Sequence, residues 1–337
     1  MDSVASADDT RGLPSAARRV RPEVHDETLR DGLQSPSVID PAITTKREIL
    51  HLLARVGVDS VNLGLPAAGP RAFDQVVALA QEIVEAKLPL RAGCAGRTVV
   101  SDLEPIAAAS QRAGLPIDVM TFIGSSPIRR FVEGWSVETI RKRSSDAFRF
   151  ARREGLTVTY VTEDTTRTPP EVLEELFTAA LDEGVARLCL CDTVGHATQD
   201  GTTNLVRWTR ALIDRAGSSA HIDWHGHEDR GLSLPNALAA IDAGADRVHG
   251  CVLGIGERVG NTPLEMLLLN LEADDALAGR DLSHLPELCR LVSHTTGYQP
   301  RPGHPLFSPI RPERLVGPHR WSWDRNRWED APSEDDG

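Results

Sequence analysis

The chain has 337 residues, of which 40% are hydrophobic and 26% charged, with 27 Gly and 22 Pro; this is an ordinary globular profile and excludes collagen or wholesale disorder. Its formal net charge of −12, from 49 acidic against 37 basic residues, gives a field that repels nucleic acid and anionic lipid. No apolar run approaches the ~20 residues of a membrane-spanning helix, and the N-terminus lacks the apolar core of a secretory signal, so a cytoplasmic protein without nucleic-acid or membrane partners is expected.

Residues 1–19 read as a disordered arm. Short apolar, β-branched runs then recur at intervals of about 25 to 40 residues, near 21–26, 58–64, 88–94, 117–123, 156–162, 186–191, 221–225 and 247–253. Amphipathic stretches such as 45–55, 71–86, 136–154 and 170–183 lie between them, long enough for the crossover that parallel strands require. Several end in Gly, as in VGVDSV, REGLTV, DEGVARL and DAGADRV, where a helix C′ position takes positive φ. Eight such units predict a closed α/β (β/α)8 TIM barrel over residues 20–272. A short helical and irregular extension over 273–328 follows, with a helix at 282–295, and 329–337 reads as an acidic disordered tail. Trp321, Trp323 and Trp328 in the extension are too apolar to stand in water, so a homodimer is expected. The five scattered cysteines, Cys94, Cys189, Cys191, Cys251 and Cys289, read as buried reduced thiols.

Three segments carry the chemistry. His225-Gly226-His227-Glu228-Asp229 ends the seventh run, and two imidazoles spaced i, i+2 on a strand share one face and can grip one divalent ion. His25-Asp26-Glu27-Thr28-Leu29-Arg30-Asp31-Gly32-Leu33-Gln34 follows the first run. In a barrel, strands one and seven open onto the same face, so Asp31 can join the histidines in a mixed N/O site that leaves positions for substrate oxygens. Gly254-Ile255-Gly256-Glu257-Arg258-Val259-Gly260-Asn261 follows the eighth run, its glycines permitting a tight turn over the barrel mouth.

Together these segments resemble the DRE-TIM metallolyase superfamily, and within it the 2-isopropylmalate, homocitrate and citramalate synthase branch, from about residue 22 to 270. Val161-Thr162-Glu163-Asp164 with Arg167, and Cys191-Asp192-Thr193-Val194-Gly195, are similar to the family's fifth- and sixth-strand motifs. The resemblance implies Asp31, His225 and His227 as ligands of a divalent metal (Mg2+ or Mn2+, with Zn2+ as an alternative), and Asn261 as a further ligand. It implies Arg30 and Thr193 as the holders of a 2-oxo acid carboxylate, with Gln34, Arg97, Arg129 and Glu257 as further substrate-binding candidates. Arg30, Glu163 and His319 are the catalytic candidates, His319 through a Gly-x-His signature that serves either its own or a partner's site. The implied reaction is a Claisen-type condensation of an acyl-CoA with a 2-oxo acid, giving a 2-hydroxy diacid and CoA. No regulatory leucine-binding domain follows the barrel, so feedback inhibition is not expected.

Some positions depart from the branch. Leu33, in Arg-Asp-Gly-Leu-Gln, is similar to the start of 3-hydroxy-3-methylglutaryl-CoA lyases, which keeps a carbon–carbon lyase as an alternative; the lyases' reactive-Cys loop is absent, and Cys251 lies within a strand. A degenerate, non-catalytic barrel is the other alternative. Asn62 stands where the second strand usually has an acid, Arg129 where many synthases have His, and Glu228 where Asn is usual. If Arg129 projects into the barrel mouth it offers a second fixed cation beside Arg30, which predicts a 2-oxo acid with an additional anionic group; the alternative is that it turns outward and pairs with Glu133 or Asp102.

Overall fold

A computed structural model describes residues 21–273, 280–301, 303–307, 319–322 and 327–330. Eight parallel strands close into a barrel in sequence order: β1 (Glu23–Asp26), β2 (Ser60–Asn62), β3 (Arg91–Arg97), β4 (Ile117–Gly124), β5 (Val158–Glu163), β6 (Arg187–Asp192), β7 (His221–Gly226) and β8 (Arg247–Gly250). Closure is made by β1, which pairs His25 with Ser60 of β2 on one side and Val24 with Val248 of β8 on the other. Every run predicted as a strand overlaps one of these eight. The helices α1 (Ile43–Arg55), α2 (Pro70–Glu85), α3 (Val100–Ala113), α4 (Pro127–Glu133), α5 (Val137–Arg153), α6 (Pro170–Asp182), α7 (Gln199–Arg215), α8 (Ser233–Ala243), α9 (Leu264–Ala273) and α10 (Leu285–Thr296) complete the order.

The local chemistry matches these boundaries. Ser136 and Thr198 cap α5 and α7 by accepting from Thr139 N and Gly201 N, satisfying donors that a helix start leaves unpaired. The four expected C′ glycines, Gly57, Gly155, Gly184 and Gly244, all have positive φ. Between sheet and helices, Phe148 of α5, Tyr160 of β5 and Phe177 of α6 meet edge to face, with centroids 4.9 and 6.5 Å apart, the arrangement aromatic quadrupoles favour. All five cysteines are buried and free.

Among the described residues, those up to 298 form one compact unit that includes α10, and those from 299 onward form another. The second unit contains a two-stranded antiparallel ribbon, β9 (His319–Ser322) with β10 (Arg327–Asp330), in which Trp321 lies opposite Trp328. The extension therefore contains strand pairing where an irregular segment was expected, and residues 329 and 330 of the expected tail belong to it. The expected arm at 1–19 and the tail from 331 lie outside the described residues. Among the described residues no helix is long and apolar enough to cross a membrane.

Candidate active site

The site begins where β1 ends. Asp26 accepts hydrogen bonds from Thr28 N (3.0 Å) and Thr28 Oγ1 (2.6 Å), and Thr28 Oγ1 in turn accepts from Val252 N after β8 (2.8 Å). This staple turns the chain so that Glu27 faces inward and Arg30 and Asp31 reach the barrel mouth. Arg30 Nε and Nη2 each lie 2.7 Å from Glu27 Oε2, and Arg30 Nη1 lies 3.3 Å from Asp31 Oδ2. Burial pushes the Asp31 carboxyl up, but Arg30 and His225 outweigh it and hold it well below the usual range.

Strand alternation brings His225 and His227 to the same face as expected, with their Nε2 atoms 3.1 Å apart. Both point at Asp31 Oδ2, at 3.3 and 3.9 Å, and donor atoms of the three residues all lie within 4.8 Å of one another. Asn261 joins this wall by a bridge to His227. Its Nδ2 donates to Ile255 O (3.2 Å), which fixes the amide and leaves Oδ1 over. The loop approaches so closely that a Cβ on Gly256 would collide with Asn261 Nδ2. Asp31 Oδ1, His227 Nδ1 and Asn261 Oδ1 are buried without a hydrogen-bond partner among the described residues. Burial and the neighbouring His225 lower His227 to about 3, the neutral form that ligates. Converging nitrogens, an ionised carboxylate and orphaned oxygens fit a divalent cation, since buried polar atoms are otherwise paired.

Beside this centre opens a cavity of about 280 Å3, lined by Arg30, Asp31, Gln34, Glu163, Thr193, His225, His227 and Glu257 on its polar sides and by Leu65, Ala95, Phe122, Val161 and Cys191 elsewhere. Most of the residues expected in the site are thus brought together. Glu163, at the end of β5, is raised by burial and lowered by Arg129, with Asp164, Glu257 and Glu133 raising it again. Arg129 lies 3.1 Å from Glu163 Oε1 and 3.4 Å from Glu133 Oε1, so the second cation read from the sequence has its charge answered within the protein. Thr193 Oγ1 accepts from Asp164 N (2.8 Å). Arg97 stands outside the lining; it pairs with Asp102 (2.7 Å) and is largely exposed. The side chain of His319 lies outside the described residues.

The sequence reading assigned no role to Glu27, although it is fully buried against Arg30. The signal was an acid three residues before the arginine, within one turn. Nor did it find the charged interior beneath the site, where His25, Glu27, His249, Asp223 and Arg247 are buried. Two further groups of ligand-type side chains lie there, His25 with Glu27 and His249, and Cys189 with Asp223 and His249.

An eight-stranded barrel whose first, seventh and eighth strands deliver carboxylate, paired imidazoles and an amide to one mouth defines a TIM barrel with a candidate metal centre in the position where such barrels carry active sites. Comparison with known proteins narrows the class: residues 21–292 match the model of the HMGL-like family, and the chain belongs to that family. It is 35% identical to a probable 2-isopropylmalate synthase of Methanopyrus kandleri over 85% of this chain and 55% of that protein. It is 33% identical to a putative (R)-citramalate synthase of the same organism over 83% and 53%. The chain spans about half the length of the curated relatives it matches. In structure it is similar to the HMG-CoA lyase of Bacillus subtilis, with a TM-score of 0.69 and 21% identity over 86% of this chain and 98% of that one, a likeness of fold.

Proposed function

We propose that the protein is an acyltransferase that condenses an acyl-CoA with a 2-oxo acid, releasing CoA and a 2-hydroxy diacid. The observation that carries this reading is the convergence of Asp31, His225 and His227, with their orphaned neighbours, on a cavity that also holds Arg30 and Glu163. Relatives named as synthases support it.

A divalent cation held by Asp31, His225, His227 and Asn261, Mg2+ or Mn2+ by the hardness of the set with Zn2+ as an alternative, would supply Lewis-acid polarisation of the ketone. The protein's own groups account for the rest. Arg30 presents fixed positive charge where the ketone oxygen becomes an alkoxide. Thr193 and Gln34 offer neutral contacts to the 2-oxo acid. Glu163, made more basic by burial against the pull of Arg129, accepts the proton from the carbon next to the thioester, and that carbon then attacks the ketone. Water cleaves the thioester, which balances the reaction with free CoA thiol; His319 is the proposed proton carrier for that stage.

Because Arg129 is paired with Glu163 and Glu133, and Leu65, Ala95, Phe122 and Val161 are among the lining residues, an apolar 2-oxo acid suits the cavity better than a doubly anionic one. A lyase is disfavoured by Cys251, which is fully buried and accepts a contact from Asn261 Nδ2 at 3.3 Å; burial pushes its thiol well above the usual range, the opposite of a reactive cysteine. A homodimer is supported by Ile128, Phe131 and Val132, large apolar side chains exposed together on the short helix α4, because clustered exposed apolar side chains mark interaction surfaces.

The deciding experiment follows thiol release from acetyl-CoA by metal-loaded protein with 2-oxoisovalerate, pyruvate, oxaloacetate and 2-oxoglutarate in turn. Release that requires both substrates, with the highest kcat/KM for an apolar acid, is expected. Cleavage of a hydroxyacyl-CoA without condensation would replace this reading by the lyase.

A further inference from the structure

Arg30 is the one cation lining the cavity among the described residues, and its placement is set from behind. Glu27 Oε2 receives both Nε and Nη2 of Arg30 at 2.7 Å, leaving Nη1 on the side of Asp31 and the cavity. The other oxygen, Oε1, accepts from Asn62 Nδ2 at 3.2 Å and faces His25 Nε2 at 3.2 Å. Glu27 is 0% exposed, whereas the Arg30 side chain is 20% exposed at the mouth. A buried carboxylate holds an ionised form only when it is paired. Here burial raises Glu27, and Arg30, followed by His25, more than offsets it, so the carboxyl lies well below its ordinary range. Asn62 is a neutral donor at this point; a carboxylate there would repel Glu27 and loosen its grip. The arrangement is a guanidinium clamped on two of its nitrogens by Glu27, with the third held toward Asp31 at the cavity.

We propose that Glu27 is a positioning residue for the reaction: through its contact with Arg30, and with Asn62 holding its other oxygen by a neutral donor, it fixes the guanidinium that meets the anionic substrate beside Asp31, His225 and His227. This rests on the reading of the cavity as an anion site next to a cation centre. A purely structural role, neutralising a buried arginine, predicts a different outcome from positioning. Loss of neutralisation lowers stability and leaves anion affinity alone, whereas loss of positioning weakens the anion at equal folding.

The test measures, by calorimetry, the affinity of the Mg2+-loaded full chain for oxalate, a small chelating dianion, together with the melting temperature. Glu27→Gln is isosteric and keeps an acceptor oxygen without the charge. Glu27→Asp keeps the charge but withdraws it by one methylene. Both are expected to weaken oxalate about tenfold or more, the scale of removing a partner that orients a ligand-binding group, while Mg2+ content stays at the wild-type value. Affinity within about twofold of wild type in either folded variant, or a wild-type protein that binds no oxalate with Mg2+ present, overturns the proposal. If Glu27→Gln does not fold, Glu27→Asp decides alone. Thiol release from acetyl-CoA is assayed separately: weakened oxalate binding in a protein that condenses no acyl-CoA would retain the positioning role and discard the proposed reaction.

Discussion

Two histidine–carboxylate groups lie one above the other in this barrel, built from the same residue types and opposite in character. At the mouth, His225 and His227 turn Nε2 atoms toward each other and toward Asp31, and two buried oxygens, Asp31 Oδ1 and Asn261 Oδ1, lack a partner among the described residues. In the interior group both oxygens of Glu27 and of Asp223 are taken, and only ring nitrogens, His25 Nε2 and His249 Nδ1, make no hydrogen bond among the described residues. In the interior, His25 and His249 face Glu27 Oε1 at 3.2 and 3.6 Å, and each has a contact on its far nitrogen, His25 with Ser60 Oγ (2.8 Å) and His249 with Asp223 Oδ2 (3.3 Å). The interior carboxylates are already answered by cations, Glu27 by Arg30 and Asp223 by Arg247 and Arg187. A dication added there would leave surplus positive charge in a dry core, at the steep cost of unpaired buried charge. Proximity of ligand-type residues is therefore a poor guide by itself; what separates a binding centre from a structural network is whether its acceptor oxygens are already used.

The largest expected effect breaks the comparison on the mouth side. Asp31→Ala and His227→Ala should each lose at least about 100-fold in metal affinity, more than removal of an outer partner does, and with it turnover. His249→Gln should keep the metal. Elemental analysis of the purified variants checks this, and wild-type content in the first two would contradict the ligand assignment. Next comes the interior: Arg247→Met leaves Asp223 buried with one fewer cation and should cost about 3–5 kcal/mol in urea unfolding without changing metal content. The smallest effect concerns pH. Burial pushes Asp26 up to about 7, against its hydrogen bonds from Thr28. A carboxyl raised on folding contributes stability that is full below its unfolded value of 3.8 and is lost as pH rises through about 7. Wild type should accordingly gain on the order of a few kcal/mol between pH 7.5 and 4 relative to Asp26→Asn; parallel unfolding curves across that range would contradict it.

Much of this was legible in the sequence because it is written in periodicity. The eight strands and their following helices come from apolar runs and Gly stops, and the i, i+2 spacing of His225 and His227 forces them onto one face. Asp31 follows once strands one and seven are known to share a mouth. The interior network was not legible, because Asp223, Arg247 and His249 occupy inward positions of parallel strands, where a sequence pattern shows only a polar residue among apolar ones. Their partners come from other strands, Arg187 from β6 and Glu27 from the turn after β1. The i, i+4 pairing of Arg129 with Glu133 is within reach of the sequence, but its contact with Glu163 was hidden: Glu163 is 34 positions away in number but adjacent through the β4–β5 pairing, in which Gly124 lies opposite Glu163. The ribbon at β9 and β10 was obscured by the prolines and arginines around it.

The staple from Thr28 Oγ1 to Val252 N spans 224 positions of sequence, and this bears on how the protein is made. A ribosome presents Asp31 early, while His225, His227 and Asn261 emerge only near the end of the barrel. The first strand must wait for the eighth before its edge is paired and its turn is locked. Such long-range closure slows folding relative to local contacts. A nascent chain released before Val252 would carry Arg30 and Asp31 on an open edge, unable to hold an ion and exposed to pairing with other chains.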